Sequence, residues 1–135
     1  VLVSSLDPEA ARLAGLIDFG DLVMSERLNE VAVAMAYMGL GRVDPWSAAL
    51  PVLSGYQREC RLDAAEIELL FAAVGARLAQ SVCVSARRRA GRVADEYALV
   101  SEAPAWEALR ALDAMDAQAA TSAARWITRG VASHA

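Results

Sequence analysis

An apolar run that ends in Asp-Phe-Gly is the stretch of this chain with the clearest chemical meaning. The pair Leu16-Ile17 leads directly into Asp18-Phe19-Gly20-Asp21. The pattern predicts a short buried strand that carries the Asp18 carboxylate at its exposed end, while Gly20 lets the backbone turn away tightly. An ionised carboxylate directly behind buried side chains is costly unless a cation meets it. In phosphoryl-transfer sites such a carboxylate holds the Mg²⁺ that bridges nucleotide phosphates.

The acidic residues of this stretch also have simpler interpretations. Asp and Gly are ordinary turn residues, so Asp18 could do no more than open a turn. Asp21 supplies a second acidic group, which could assist a metal, bind a cationic substrate or cap the helix that follows.

Composition indicates a single, mainly helical domain over residues 1–135. The chain is 56% apolar, contains only four Pro and has a net charge of −4. The acidic balance argues against nucleic acid as a partner. We identify no signal peptide and no apolar run of the ~18–20 residues that span a bilayer. We therefore expect no membrane association. Cys60 and Cys83 are expected to be small buried hydrophobes, which fits a cytoplasmic protein.

Two absences restrict the chemistry that these residues could perform. The chain contains no Lys, so it cannot supply a P-loop lysine, a Schiff-base lysine or a phosphate-pairing lysine. Its one histidine, His134, lies next to the last residue, which excludes a Ser-His triad inside the domain. Inside the domain the chain therefore offers no histidine base and no lysine nucleophile. The first residue is Val1 rather than Met, and we expect an upstream portion.

The first elements are predicted to be a β-hairpin over residues 1–18 and then a helix over about 26–40. The hairpin is expected to pack on the helices behind it, because a lone hairpin is marginally stable. Ser25 is a candidate N-cap, and Gly39 and Gly41 are expected to end the helix. Apolar residues recur at helical spacing along its predicted inner face: Leu28, Val31, Ala32, Met35 and Met38.

Two strong start signals predict the next helices. Asp44-Pro45 combines an N-cap with proline at the first helical position, and the helix should run to about Cys60. Asp63-x-x-Glu66 resembles a capping box and should open the longest helix, which ends near Arg87-Arg88-Arg89. One side of this helix is predicted to be buried: Ile67, Leu70, Phe71, Val74, Leu78, Val82 and Ser85.

The remainder is predicted to be a loop and one last helix, within a helical part that covers residues 26–128. The loop spans residues 91–100, and the helix begins around residues 101–104 and reaches Trp126, with Gly130 past its end. Trp106 is expected to anchor the core together with Leu109, Leu112 and Met115. The predicted fold class is mainly α with a short N-terminal β-hairpin.

The segment Gly15 to Val23 resembles the metal-binding segment of the aminoglycoside phosphotransferase and choline kinase-like family. Three further stretches resemble the hydroxylysine kinase branch of that family: Glu30–Tyr37, Ala76–Val82 and Ser101–Leu109 around Trp106. This branch also includes kinase domains fused to class III aminotransferases. The resemblance implies that the chain is the helical C-terminal lobe portion of a protein-kinase-like α+β fold.

The chain departs from the family pattern at its beginning. Family members carry a His-x-Asp…Asn catalytic loop immediately upstream of a strand like Val1-Leu2-Val3, and here the chain begins where that loop would have ended. The resemblance therefore implies that the catalytic loop and the nucleotide-binding lobe are missing, that no catalytic residue lies within this chain, and that the chain alone is inactive.

Site residues and ligands follow from the resemblance and from residue chemistry. The resemblance implies that Asp18, with Asp21 as a second candidate, is a ligand of Mg²⁺, and that ATP or GTP donates the phosphoryl group. The acceptor would be an amino alcohol, a hydroxylated amino acid or an aminosugar. Acidic and aromatic groups suit the amine of such a substrate, and the candidates are Glu30, Asp95, Glu96, Tyr97 and Glu102. A solvated helix face and a solvated loop explain these five residues as well.

The expected partners are a nucleotide, a small amine-bearing substrate and the missing N-terminal part of the kinase, with a fused aminotransferase and self-association as further candidates. A different class of function stays open. The chain could be a non-catalytic helical remnant or an interaction module that completes another chain.

Overall fold

The computed structural model describes residues 2–7, 9–17, 20, 23–90 and 102–132, and it is mainly helical with an N-terminal hairpin, as predicted. Within these residues two strands precede five helices. Their bounds are β1 Leu2–Val3, β2 Leu13–Gly15, α1 Arg27–Gly39, α2 Pro45–Glu59, α3 Ala64–Ala90, α4 Glu102–Asp113 and α5 Ala117–Ala132.

The hairpin pairs its two short strands antiparallel, with Leu2 opposite Gly15 and Val3 opposite Leu13. Its side chains are not buried, and this contradicts the predicted buried strand. Leu2, Val3, Leu13, Leu16 and Ile17 are all exposed. The physical reason is that the hairpin shares no extensive contact with any of the described helices.

Helix α3 is the centre of the core and packs against α1, α4 and α5. Its predicted inner face is confirmed, with Phe71 partly buried and the other six residues buried. The predicted capping box is also confirmed. The Glu66 amide donates to Asp63 Oδ1 at 2.8 Å, and the Asp63 amide donates to Glu66 Oε2 at 2.7 Å. Two reciprocal bonds therefore fix where this long helix begins.

Trp46, rather than Trp106, is the tryptophan that anchors the core. It is 2% exposed, and its ring meets the Phe71 ring edge to face at a centroid distance of 5.1 Å. The indole Nε1 donates to the Ala120 carbonyl oxygen at 3.1 Å, so one side chain joins α2, α3 and α5. Trp106 lies 41% exposed on α4, which contradicts its predicted role.

Helix α1 has nearly its predicted bounds, but Ser25 is not its cap. The Ser25 hydroxyl accepts from the side-chain amide of Asn29 at 2.7 Å, and Glu26 takes the N-cap position without a side-chain bond to the backbone. Met38 is exposed, whereas the other four predicted inner residues are buried. Gly41, with φ of 68°, provides the left-handed turn that leads towards α2.

The prediction of one last helix is wrong, because two helices occupy this part of the chain. The break lies between Asp113 and Ala117, where Asp116 Oδ1 accepts from the Gln118 amide at 2.9 Å and caps α5. Helix α5 then continues through Gly130 instead of ending before it. An N-cap aspartate inside an apolar periodic stretch is the signal that the sequence analysis missed.

The two cysteines also differ from expectation. Cys83 is exposed and Cys60 is partly exposed, and both are free thiols. The prediction of two buried hydrophobes is therefore wrong, because Cys83 lies on the outer side of α3 and Cys60 follows the C-terminus of α2.

Helix α3 is also long and apolar enough, by length and composition alone, to cross a membrane, which the sequence analysis did not anticipate. In this fold the row of buried side chains along α3 faces other helices of the same core. A central core helix passes the same test of length and composition, so this property is weak support for a membrane span.

We predict that Gly39→Ala destabilises the protein whereas Gly55→Ala does not. A Cβ at Gly39 would lie 2.9 Å from both Cβ and the carbonyl oxygen of Pro45, which must then move. Overpacking of this kind costs about 1–3 kcal/mol. Gly55 lies inside α2, where a Cβ meets nothing within 4 Å, so alanine should add up to about 1 kcal/mol of helix stability. Urea unfolding of both variants measures the difference, and equal stabilities would contradict it.

We also predict that the N-cap of α2 makes a pH-dependent contribution to the stability of the folded protein. The Ser47 side chain and the Ser47 amide, which donates to Asp44 Oδ1 at 2.9 Å, hold the pKa of the Asp44 carboxyl below its ordinary value. A lowered pKa in the folded state adds stability above the unfolded pKa, near 3.9, and the gain is lost as pH falls through the folded value.

The variant Asp44→Ala should therefore lose about 1 kcal/mol at pH 7, and its deficit should shrink below about pH 4. Asp44→Asn is the matched control, because asparagine caps a helix without titrating. Thermal unfolding from pH 7 to pH 3 checks both variants. A deficit of Asp44→Ala that is constant across this range would contradict the assignment.

Candidate functional site

The predicted metal-binding aspartates follow the hairpin, but both lie outside the described residues. Strand β2 ends at Gly15, Leu16 and Ile17 follow it, and Gly20 is the one described residue between Asp18 and Asp21. A Cβ at Gly20 would meet nothing within 4 Å. The roles of Asp18 and Asp21 therefore stay predictions.

Glu30 lies on the outer face of α1, one turn after Arg27. It is exposed and forms no hydrogen bond or ion pair within the described part of the chain. Arg27 pairs instead with Glu66 across to α3, at 3.0 Å between Nη2 and Oε2. The Glu30 carboxylate is therefore available to a ligand, and its role in binding an amine stays a prediction.

Arg27 fixes the beginning of α1 against the beginning of α3. Its Nη1 donates to the Arg61 carbonyl oxygen at 3.3 Å and lies 3.8 Å from Cys60 Sγ. The negative charge of Glu66 raises the pKa of the Arg27 guanidinium. These contacts fix the first turn of α1, the helix that follows the segment with Asp18 and Asp21.

Tyr56 completes the polar contacts around Arg27. Its hydroxyl donates to the Arg27 carbonyl oxygen at 3.4 Å. Burial raises the pKa of the Tyr56 phenol, and the Cys60 thiol and the Glu30 carboxylate raise it further. Tyr56 is therefore a neutral hydrogen-bond donor at pH 7.

A second polar network holds the C-terminal half of α1 on α3. Arg77 Nη2 donates to the Tyr37 hydroxyl at 2.8 Å, and Arg77 Nη1 donates to Ser81 Oγ at 3.0 Å and Gln80 Oε1 at 3.3 Å. The guanidinium carbon lies 5.3 Å from the centroid of the Tyr37 ring. Among the described residues no carboxylate pairs with Arg77.

Tyr37 was not among the predicted site residues, although it lies seven residues after Glu30. Two helical turns separate the two positions, so both lie on the outer face of α1. Arg77 fixes the orientation of Tyr37, and the ring stays about half exposed. The helical spacing from Glu30 is the signal that could have identified Tyr37.

Glu102 already has an ionic partner in the structure. It lies in the first turn of α4 and pairs with Arg89 near the end of α3, and its side chain is 13% exposed. The other predicted substrate contacts, Asp95, Glu96 and Tyr97, lie outside the described residues. Glu30 lies on α1 and Glu102 on α4, two helices that share no extensive contact.

Comparison with known proteins identifies two relatives of low identity. The hydroxylysine kinase of Xenopus laevis is 30% identical over 113 residues, which are 82% of this chain and 30% of that protein. The hydroxylysine kinase of Mus musculus is 28% identical over 102 residues, which are 75% of this chain and 27% of that protein.

The chain thus spans less than a third of the length of the curated relatives that it matches. No family model matches the chain. No solved structure gives a significant match. The sequence is therefore similar, at low identity, to one part of a hydroxylysine kinase.

Proposed function

We propose that this chain is part of a small-molecule kinase of the aminoglycoside phosphotransferase and choline kinase-like family. Such an enzyme moves the γ-phosphoryl group of ATP or GTP to a hydroxyl group of its substrate. The similarity to two hydroxylysine kinases, over 82% and 75% of the chain, carries the proposal. It supports a hydroxylated amino acid, an amino alcohol or an aminosugar as the acceptor.

The proposed metal contact is Asp18, with Asp21 in a secondary role. Mg²⁺ prefers oxygen ligands, and both carboxylates fit that preference. Among the described residues, which include neither Asp18 nor Asp21, no group of three or more His, Cys, Asp or Glu side chains could hold a metal ion. When bound, Mg²⁺ neutralises the charge of the transferring phosphates. The role of Asp18 is to hold the ion at the end of the hairpin.

Glu30 is the proposed contact for a substrate amine among the described residues. It is exposed and unpaired there, whereas the Glu102 carboxylate is occupied by Arg89. Asp95, Glu96 and Tyr97 stay proposals for the same substrate.

Phosphoryl transfer by this scheme needs residues beyond these 135. The chain has no lysine to pair with phosphates, and we assign no catalytic base among its residues. We propose that a further polypeptide segment supplies them, either in the same chain or from a partner, and that the complete enzyme is cytoplasmic. The exposed apolar side chains of the hairpin support a covering segment, since apolar surface of this kind is normally buried.

We predict that the 135-residue chain alone transfers no phosphoryl group, whereas the longest product of its reading frame does. Both proteins would be incubated with Mg²⁺ and ATP or GTP, together with hydroxylysine, ethanolamine, choline and aminosugars. Phosphorylated product would be measured by mass spectrometry. Turnover by the short chain that survives repurification would contradict the first expectation. A long product that is inactive on every acceptor would favour the non-catalytic alternative.

We further predict that substitution of Asp18 and substitution of Asp21 lower the kcat of the longest product of the reading frame to different extents. Asp18→Asn keeps the size of the side chain but removes the charge-assisted bond to the metal. The loss of one such electrostatic contact lowers kcat on the order of 10²–10³-fold. Asp21→Asn should cost clearly less. Steady-state kinetics across a Mg²⁺ titration measures both variants. If Asp21→Asn abolishes activity while Asp18→Asn keeps most of it, the metal assignment is wrong.

A further inference from the structure

A groove of about 390 Å³ runs between α3 and α4, and neither Glu30 nor Glu102, the two candidate site residues that the structure describes, lines it. Helix α3 contributes Phe71 and Gly75 to it, and α4 contributes Trp106 and Leu109. The volume lies in the range of ligand-binding clefts, and the lining is mainly apolar. No side chain of the described residues fills the groove.

Gly75 lines this groove in the middle of a 27-residue helix. Glycine is among the least favourable residues in a helix interior. A Cβ at this position would meet nothing within 4 Å, so packing within the described chain does not require glycine here. What the absent side chain provides is open space opposite Trp106, which is 41% exposed.

Two residues of opposite charge, Arg110 and Asp113, line the α4 side of the groove and form no ion pair with each other. The Arg110 guanidinium carbon lies 5.6 Å from the centroid of the Trp106 ring, towards the beginning of α4. Asp113 lies one turn further along the helix. Neither residue forms an ion pair within the part of the chain that the structure describes. The groove therefore presents one cation and one anion beside an apolar wall.

We propose that this groove binds a small zwitterion with an apolar body, of the class of α-amino acids with apolar or aromatic side chains. The ligand carboxylate meets Arg110, the ammonium group meets Asp113, and the side chain fills the space between Gly75 and Trp106. A simple anion would meet repulsion from Asp113, and a simple amine would meet repulsion from Arg110. An uncharged apolar molecule would desolvate both charges without pairing them.

The site is independent of the proposed kinase function, because binding needs neither nucleotide nor metal. The test is therefore done on the 135-residue chain by titration with L-phenylalanine. The readout is the indole N–H signal of each of the three tryptophans in ¹H–¹⁵N NMR spectra. Trp106→Phe assigns its own signal, while Trp46 and Trp126 serve as internal references. We expect a saturable shift confined to Trp106.

Matched ligands separate recognition of the two charges from simple apolar association. N-acetyl-L-phenylalanine lacks the ammonium group, and L-phenylalanine amide lacks the carboxylate. Each should bind about tenfold more weakly or worse, as expected for loss of a charged hydrogen bond. Asp113→Asn should remove the preference for a free ammonium group, and Arg110→Gln should remove the preference for a free carboxylate.

Substitution of Gly75 tests the groove itself. Gly75→Leu should fill the space and reduce binding at least tenfold, while circular dichroism shows that the helical content is kept. Gly75→Ala, the smaller change, should weaken binding less. The proposal is overturned if L-phenylalanine gives no saturable shift, if both derivatives bind as tightly as the parent amino acid, or if folded Gly75→Leu binds unchanged.

Discussion

The packing of the helical part depends on the burial of one indole ring. Trp46 occupies the first turn of α2, meets Phe71 of α3 edge to face, and donates its N–H to a backbone carbonyl of α5. A tryptophan buried this deeply needs that acceptor, because an unpaired indole N–H in an apolar core is costly. The position of α5 is therefore coupled to the position of α2, although 74 residues separate donor and acceptor.

The elements that could be predicted from sequence are those fixed by local chemistry. Asp44-Pro45 and Asp63-x-x-Glu66 satisfy backbone groups within one turn, so their signals do not depend on the rest of the fold. The boundary between α4 and α5 was missed because apolar spacing continues through it and only Asp116 indicates the break. The burial of Trp46 rather than Trp106 was missed because both lie at apolar positions of helices, and only tertiary packing distinguishes them.

The residues of the candidate site also differ in whether the sequence alone could identify them. Glu30 could be selected from its type and its place on a helix, and the structure leaves it exposed. The contact between Tyr37 and Arg77 could not be predicted, since it joins residues 40 positions apart on two helices. The pairing of Glu102 with Arg89 likewise depends on how α4 returns to the end of α3. Asp18 and Asp21 were selected from a short motif, which says little about the other groups that a metal ion would contact.

The separation of the hairpin from the helices has a consequence for the cooperativity of folding. The backbone hydrogen bonds of the two strands are protected by few neighbours, whereas those of α3 lie within a packed core. Regions with so different a density of contacts open with different free energies. Amide protons of residues 2–15 are expected to exchange with solvent by local opening, long before those of α3 do. Any segment that covers the hairpin would then slow this local exchange without changing the exchange of the helical core.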